Sequence, residues 1–310
     1  MVAGATQRPA RPVAGGSNYP RRATSEVEPA AVAPTIIKLG GELLETPARL
    51  RGLARALAAI AAREPLVVVH GGGREVDAEM ARLGIAKRAV DGLRITDAAT
   101  LEVVAGVLAG RVNTRLVAAL GVAGARAVGL TGADARLAPV RRERRYRSAD
   151  GQSVDLGYVG RPVGEGPPTL LTDLLAAGYT PVVASLSAAA TGQVLNVNAD
   201  TLAGDLAARL KARRLLIAGS TAGVLDEAGK TIPALDDAGI DTLIRGGQAS
   251  AGMVAKLLAC RAALAGGAGE VAILDARRPR QGMFEQAVGT KLAGRPMTGG
   301  AGNDDIDGSN

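Results

Sequence analysis

Val67-Val68-Val69-His70-Gly71-Gly72-Gly73-Arg74 is a β-branched run that leaves through three glycines into an amphipathic segment. Consecutive valines favour a buried strand. A strand that exits through glycines into a helix is half of a βαβ unit. Upstream, Ile36-Ile37-Lys38-Leu39-Gly40-Gly41 repeats the arrangement, and Pro47 to Arg63 between them reads as a helix with Pro in its first turn. Downstream, strands are predicted at Ala125 to Leu130, Thr180 to Ala184, Leu215 to Ala218 and Glu270 to Leu274, each followed by Gly or small polar residues. Helices are predicted from Asp97, capping after Thr96, to Leu120, and from Ser250 to Ala265. The alternation predicts an α/β fold on a parallel sheet, whose glycine-rich strand exits are where open sheets bind ligands.

Several boundaries follow from composition. Residues 1–34 mix Arg8, Arg11, Arg21 and Arg22 with Ala, Pro, Gly and Ser, and no apolar run follows as in a secretory signal. They are expected to be a disordered extension, and residues 296–310 a disordered tail. Pro139 to Val163 turns polar and reads as one or two β-hairpins. Small residues from Ala188 to Gln193 place a lobe boundary there, dividing residues 35–190 from 191–295.

The 310 residues are 47% hydrophobic, enough for a sizeable core. No apolar run approaches the ~20 residues of a membrane span, so none is expected. The single cysteine, Cys260, reads as a buried small hydrophobe, and the expected location is cytoplasmic. A net charge of +7, with Arg141, Arg142, Arg144, Arg145 and Arg147 clustered, suits anionic partners. Nucleic acid is disfavoured, because stacking platforms are scarce in a chain with no Trp, one Phe and four Tyr. Small anionic ligands fit the charge at least as well.

Three places carry chemistry. Lys38 ends a buried strand, and burying its charge is costly unless an anion pairs with it. Gly40 and Gly41 would let backbone N–H groups approach that anion, and phosphate is the natural candidate; an exposed strand-end lysine is the alternative. Gly71, Gly72 and Gly73 open a helix, exposing unpaired amides and the positive end of its dipole. His70, the only histidine, reads either as a general base or as a packed residue holding the turn. Asn196-Val197-Asn198-Ala199-Asp200 precedes Leu202, Leu206 and Leu210 at helical spacing, either as a helix cap or as a functional carboxylate. Lys256 follows Gly252-Met253 on a helix whose other face is apolar; a solvated lysine is the alternative.

Taken together with Val90-Asp91-Gly92-Leu93-Arg94-Ile95-Thr96 and Gly157-Tyr158-Val159-Gly160, these motifs resemble the acetylglutamate kinases of the amino-acid-kinase family, in order and spacing, over Thr35 to Lys291. The resemblance implies an open, mostly parallel central sheet sandwiched by helices, in two lobes. The first lobe would bind an acyl amino acid and the second ATP, with Mg²⁺ held mainly by the nucleotide and no metal site of the protein's own. Carried over by position, Lys38 and Lys256 would neutralise the phosphoryl group and Asp200 would orient them. Gly72, Gly73, Arg94 and Asn196 would hold the acceptor, and Gly40, Gly41 and Gly223 the nucleotide phosphates. The implied reaction is phosphorylation of the side-chain carboxylate of N-acetyl-L-glutamate in arginine biosynthesis. N-succinylglutamate, a carrier-linked aminoadipate, or a ligand sensor without turnover are the alternatives. A carboxylate acceptor is already ionised near neutral pH, so a site with two lysines and no catalytic histidine suits it. A homodimer is expected, with a hexamer as the alternative.

Two departures from the family pattern stand out. The exit Gly219-Ser220-Thr221-Ala222-Gly223-Val224 has no acidic side chain where Ser220 stands, which bears on how the nucleotide is held. The stretch from Arg277 to Thr290 differs from that of arginine-inhibited relatives, so strong inhibition by arginine is not expected.

Overall fold

Why these runs become strands is visible in their burial: all five residues of Leu66–His70 and all five of Thr35–Leu39 are buried. The computed structural model describes residues 33–148, 151–280, 282–284 and 288–293. Residues 1–32 of the expected extension, the expected C-terminal tail and part of the stretch from Arg277 to Thr290 lie outside the described residues; Pro34, expected in the disordered extension, is instead buried and its carbonyl accepts from Arg213 N at 2.9 Å, which ties it to the start of the sheet. β1 (Thr35–Leu39) passes through a 3-10 turn (Gly41–Leu43) to α1 (Pro47–Ala61), β2 (Leu66–His70) and α2 (Gly73–Arg82). The hairpin of β3 (Ala89–Val90) and β4 (Leu93–Arg94) precedes α3 (Ala98–Ala105), a π-helical segment (Gly106–Val112), α4 (Asn113–Val122) and β5 (Ala127–Thr131). Then come β6 (Val140–Arg142), β7 (Tyr146–Arg147), β8 (Ser153–Val154), β9 (Val159–Pro162), α5 (Thr169–Ala176), β10 (Thr180–Ala184), β11 (Leu186–Ala188) and β12 (Val194–Val197). The remainder is α6 (Ala199–Arg209), β13 (Arg214–Gly219), β14 (Ala234–Leu235), α7 (Asp237–Arg245), α8 (Ala251–Ala265), β15 (Glu270–Asp275) and β16 (Gly289–Leu292).

The main sheet has eight strands in the order β14-β16-β15-β13-β1-β2-β10-β5. All neighbours are parallel except β15 and β16, which bears out the expected open, mostly parallel α/β sheet. β1 lies centrally, with Lys38 in register with Val69 on one side and Ile217 on the other. The polar stretch forms hairpins as expected: β6 pairs with β9 in a four-stranded sheet, and β7 pairs with β8.

Alternation along the strands sorts the core into two layers. Ile37, Leu39, Val68, Leu216 and Ala218 face α1 and the α3–α4 stretch, whereas Ile36, Val67, Val69, Leu215 and Ile217 face Leu202, Leu206, Leu257 and Cys260 on α6 and α8. Each buried Val, Leu or Ile among them contributes roughly 1.5–3 kcal/mol on leaving water. Lys38, two residues after Ile36, therefore points into the α6–α8 layer. That placement makes it the anomaly of an otherwise apolar face.

Two sequence expectations shift in detail. The strand expected from Ala125 begins at Ala127, because the Ala125 N–H still closes the α4 terminus by donating to Leu120 O. The single helix expected from Asp97 to Leu120 carries seven π-helical residues, a widened turn over Gly106–Val112. The stretch Ala98–Val122 is long and apolar enough to cross a membrane. Within it Val104, Val107, Leu108, Val112, Leu116 and Leu120 are buried in the core, whereas Val122 at its end is exposed.

Candidate active site

The C-terminal ends of β1 and β2 open into a cavity of about 410 Å³. Its floor is a three-membered charge cluster. Asp200, in the first turn of α6, meets Lys38 Nζ through Oδ1 at 2.8 Å and Lys256 Nζ through Oδ2 at 3.3 Å. The fold delivers the partners separately: Lys38 from the strand face, Asp200 from a helix capped by Asn198, whose Oδ1 accepts from Thr201 N at 3.0 Å, and Lys256 from α8. Lys38 and Asp200 side chains are 8% and 7% exposed, Lys256 20%. Burial alone would push the Asp200 carboxyl up, but Lys38 and then Lys256 outweigh it and hold the group below its ordinary value. The cluster therefore enters the reaction with a carboxylate fixed between two ammonium groups.

Around this floor three helix N-termini converge. Gly72 and Gly73 start α2, Asn198 and Ala199 start α6, and Ala251 and Gly252 start α8, and all six line the cavity. Each brings unpaired amides and a positive dipole end, the arrangement anions favour. Gly40 and Gly41 complete the rim. A Cβ on Gly41 would stand 2.7 Å from Gly72 Cα, so the two glycine loops touch only because neither carries a side chain.

Opposite the cluster lies a polar chain. Asn196 Nδ2 donates to Thr96 Oγ1 at 3.2 Å, and Thr96 Oγ1 donates to Arg94 O at 3.0 Å. The Arg94 guanidinium pairs with Asp77 and donates to Gly73 O at 3.2 Å, which fixes its plane beside the α2 turn. Asp77 is held below the ordinary carboxylate range, because Lys87 and Arg94 outweigh the opposing effect of burial. Val76, Leu93, Val104 and Leu108 give this end an apolar wall.

Of the residues expected from sequence, Lys38, Gly40, Gly41, Gly72, Gly73, Arg94, Asn196, Asp200 and Lys256 all line the one cavity. Gly223 is not among its lining residues. It sits at φ 124°, where a Cβ would come within 2.6 Å of Thr290 Oγ1, so its lack of a side chain serves the packing of the loop on β16.

His70 is buried beneath the glycine turn rather than in the cavity. Its Nδ1–H donates to Gly71 O at 3.1 Å, and its Nε2 accepts from Asn113 Nδ2 at 3.1 Å. Burial lowers its pKa to about 4, so at neutral pH it is an uncharged brace for the turn. Asn113, at the end of the π-helical segment, was not singled out in the sequence; a polar residue in an apolar helix was its only signal. Glu42 was also missed. It lines the cavity, and its Oε1 accepts from Ser220 N at 3.1 Å. Asp91, in the loop between β3 and β4, lines it too and accepts from Tyr146 Oη at 3.0 Å, a phenol that burial and Asp91 push up to about 12.

Comparison with known proteins meets the same frame. A model of the amino acid kinase family matches residues 33–275. Acetylglutamate kinases from Zymomonas mobilis and Nitrobacter hamburgensis are 38% and 41% identical, over 82% and 83% of this chain and 87% and 89% of theirs. Among solved structures, N-acetylglutamate synthase from Neisseria gonorrhoeae, complexed with coenzyme A and N-acetyl-glutamate, is similar with TM-score 0.71 and 25% identity, over 84% of this chain and 59% of that longer one. Carbamate kinase from Giardia lamblia bound to AMP-PNP shares the fold at TM-score 0.60 and 14% identity, over 86% of this chain and 99% of that one. A family match across most of the chain, with relatives this similar over nearly their whole length, makes the chain a member of the amino acid kinase family.

Proposed function

We propose that this chain is an acetylglutamate kinase, moving the γ-phosphoryl group of ATP onto the side-chain carboxylate of N-acetyl-L-glutamate in arginine synthesis. The observation that carries the reading is the buried Asp200 between Lys38 and Lys256, on the floor of a cavity where three helix N-termini meet. Polyphosphate needs that concentration of positive potential, and a phosphoryl group in transfer needs it most. A carboxylate oxygen of the acceptor attacks the γ-phosphorus, the bond to the ADP oxygen breaks in line, and no proton has to move. His70, the one histidine of the sequence, is uncharged and buried below the turn, so the reading asks nothing of it as a base.

In this reading Lys38 and Lys256 neutralise charge on the phosphoryl oxygens from two sides. Asp200 holds both ammonium groups in place. Amides at Gly41 and Gly72 face the phosphates; the Gly40 N–H, expected beside them, is instead taken by Ala218 O at 2.9 Å, so Gly40 serves by leaving room. Arg94, fixed by Asp77, takes the acceptor's α-carboxylate with Asn196 and Gly73 beside it, and the apolar wall of Val104 and Leu108 takes the acyl methyl. Residues 35–190 form the acceptor lobe and residues 191–295 the nucleotide lobe, where Gly223 shapes the loop after β13. Mg²⁺ would travel mainly on the nucleotide, supplying charge neutralisation there. A cytoplasmic homodimer completes the proposal.

The test is formation of a hydroxamate-trappable acyl phosphate from ATP, Mg²⁺ and a panel of acylated acidic amino acids, with Lys256→Ala as the control. N-acetylglutamate should give the highest kcat/KM. No product from it would sink the substrate assignment, and product from the Lys256→Ala variant at the native rate would sink the site.

A further inference from the structure

The cavity is lined by three carboxylates, and two of them are already committed. Both oxygens of Asp200 face ammonium groups, and Asp91 accepts the Tyr146 hydroxyl. Glu42 is different. It follows the Gly40-Gly41 loop and reaches across the exits of β1 and β13, where its Oε1 accepts a single backbone N–H, that of Ser220, at 3.1 Å. Its Oε2 takes part in no hydrogen bond among the described residues. The carboxylate lies over two glycines: a Cβ on Gly40 would stand 2.4 Å from Oε1, and one on Gly219 3.5 Å. The exit Gly219-Ser220-Thr221 has no acid of its own, so Glu42 brings the negative charge to it from 178 residues away in sequence.

A lone carboxylate beside a phosphate-binding loop is repulsive toward a polyphosphate unless a cation stands between them. Mg²⁺ is a hard ion that keeps most of its water and is held by one or two carboxylates together with substrate phosphates. With Asp200 neutralised by two lysines, Glu42 is the carboxylate best placed to serve. We infer that Glu42 is the protein's own contact, direct or through water, to the divalent cation that accompanies the nucleotide. Without the cation the same carboxylate holds the Ser220 amide and opposes the phosphates. Glu42 thereby makes nucleotide binding depend on the metal. The inference rests on the kinase reading above.

The experiment measures binding alone, by calorimetry with AMP-PNP in the presence of Mg²⁺ and in EDTA, on the native chain, Glu42→Gln and Glu42→Ala. Both substitutions should tighten metal-free binding and weaken binding with Mg²⁺. The ratio of the two Kd values should fall by on order of tenfold, the scale of one charge-assisted contact in a partly hydrated site. Loss of the free Mn²⁺ electron-spin signal on adding Mn²⁺ to the nucleotide complex should weaken in parallel. In the Glu42→Gln background, Ser220→Asp should restore the ratio by placing a carboxylate at the other end of the same contact. An unchanged ratio in both Glu42 variants, with native melting temperatures, overturns the inference while leaving the kinase reading intact. Failure of the native chain to bind AMP-PNP under either condition overturns the kinase reading, and the inference with it.

Discussion

Replacing Asp200 by Asn keeps the shape of the side chain and removes the one negative charge between Lys38 and Lys256. The native pair is dry: the Lys38 and Asp200 side chains are 8% and 7% exposed, and the ammonium lies 2.8 Å from Oδ1. Breaking a buried ion pair from one side costs about 3–5 kcal/mol, because the remaining charge keeps its desolvation penalty without its partner. For a domain of this size each kcal/mol moves the melting temperature by roughly 2–4 °C, so a fall on the order of 10 °C is expected. The folded carboxyl lies below its ordinary 3.8, so the native contribution is present above that value and disappears as pH falls through the folded value. The stability gap between native and variant should therefore be full at pH 6–8, in the range about two units or more above the ordinary carboxylate pKa, and narrow in strong acid.

Two further measurements separate this account from a general packing defect. Sulfate should raise the melting temperature of the variant more than that of the native protein, because two uncompensated ammonium groups bind an anion that the native cluster does not need. The kcat should fall about 100- to 1,000-fold, as when one preorganised electrostatic group is removed from a reaction centre. An Asn variant that melts within about 1 °C of native across pH 4–8, against the penalty above, and shows no extra response to sulfate, would refute the reasoning.

Other outcomes follow from the same geometry. His70 titrates near 4 in the folded chain against 6.5 ordinarily, so the unfolded chain binds its proton first, and stability should decline between these values by ~3 kcal/mol as pH falls. Denaturant melts of His70→Gln should lack that component of the slope. Gly41→Ala would press a methyl to 2.7 Å from Gly72 Cα, which is backbone and cannot rotate away, so a loss of about 1–3 kcal/mol and weaker nucleotide binding by calorimetry are expected. Arg94→Gln should raise the acceptor KM by on order of 100-fold while changing kcat far less, as expected when a charge-assisted clamp on a ground-state carboxylate is lost. Steady-state kinetics with varied N-acetylglutamate would read it.

How much of this was legible depended on whether the physics is local. The strands at Thr35–Leu39 and Leu66–His70 were, because β-branched runs closed by glycine specify both element and exit. So was Lys38, since its distance from Ile36 places it on the same face, and a charge on a buried face asks for a partner. Which partner was not legible from spacing. Asp200 and Lys256 are brought to Lys38 by the packing of α6 against α8, where Gly204 approaches so closely that a Cβ would lie 2.6 Å from Ala259 O. The π-helical turn at Gly106–Val112 left no mark in a helical pattern that reads as continuous, although it ends at Asn113, which holds His70.

The same division explains the apparent defect at Ser220. Read along the chain, the exit of β13 has lost an acid. In the fold, Gly40 N donates to Ala218 O at 2.9 Å, which ties the exits of β1 and β13 together and brings residues 42 and 220 to hydrogen-bonding distance. The Glu42 carboxylate, carried by the β1 exit, thus lies against the backbone of the β13 exit. A substitution that looks like a loss in one motif can thus have a neighbour from another, and it is the pairing of β1 with β13 that sets Glu42 against Ser220.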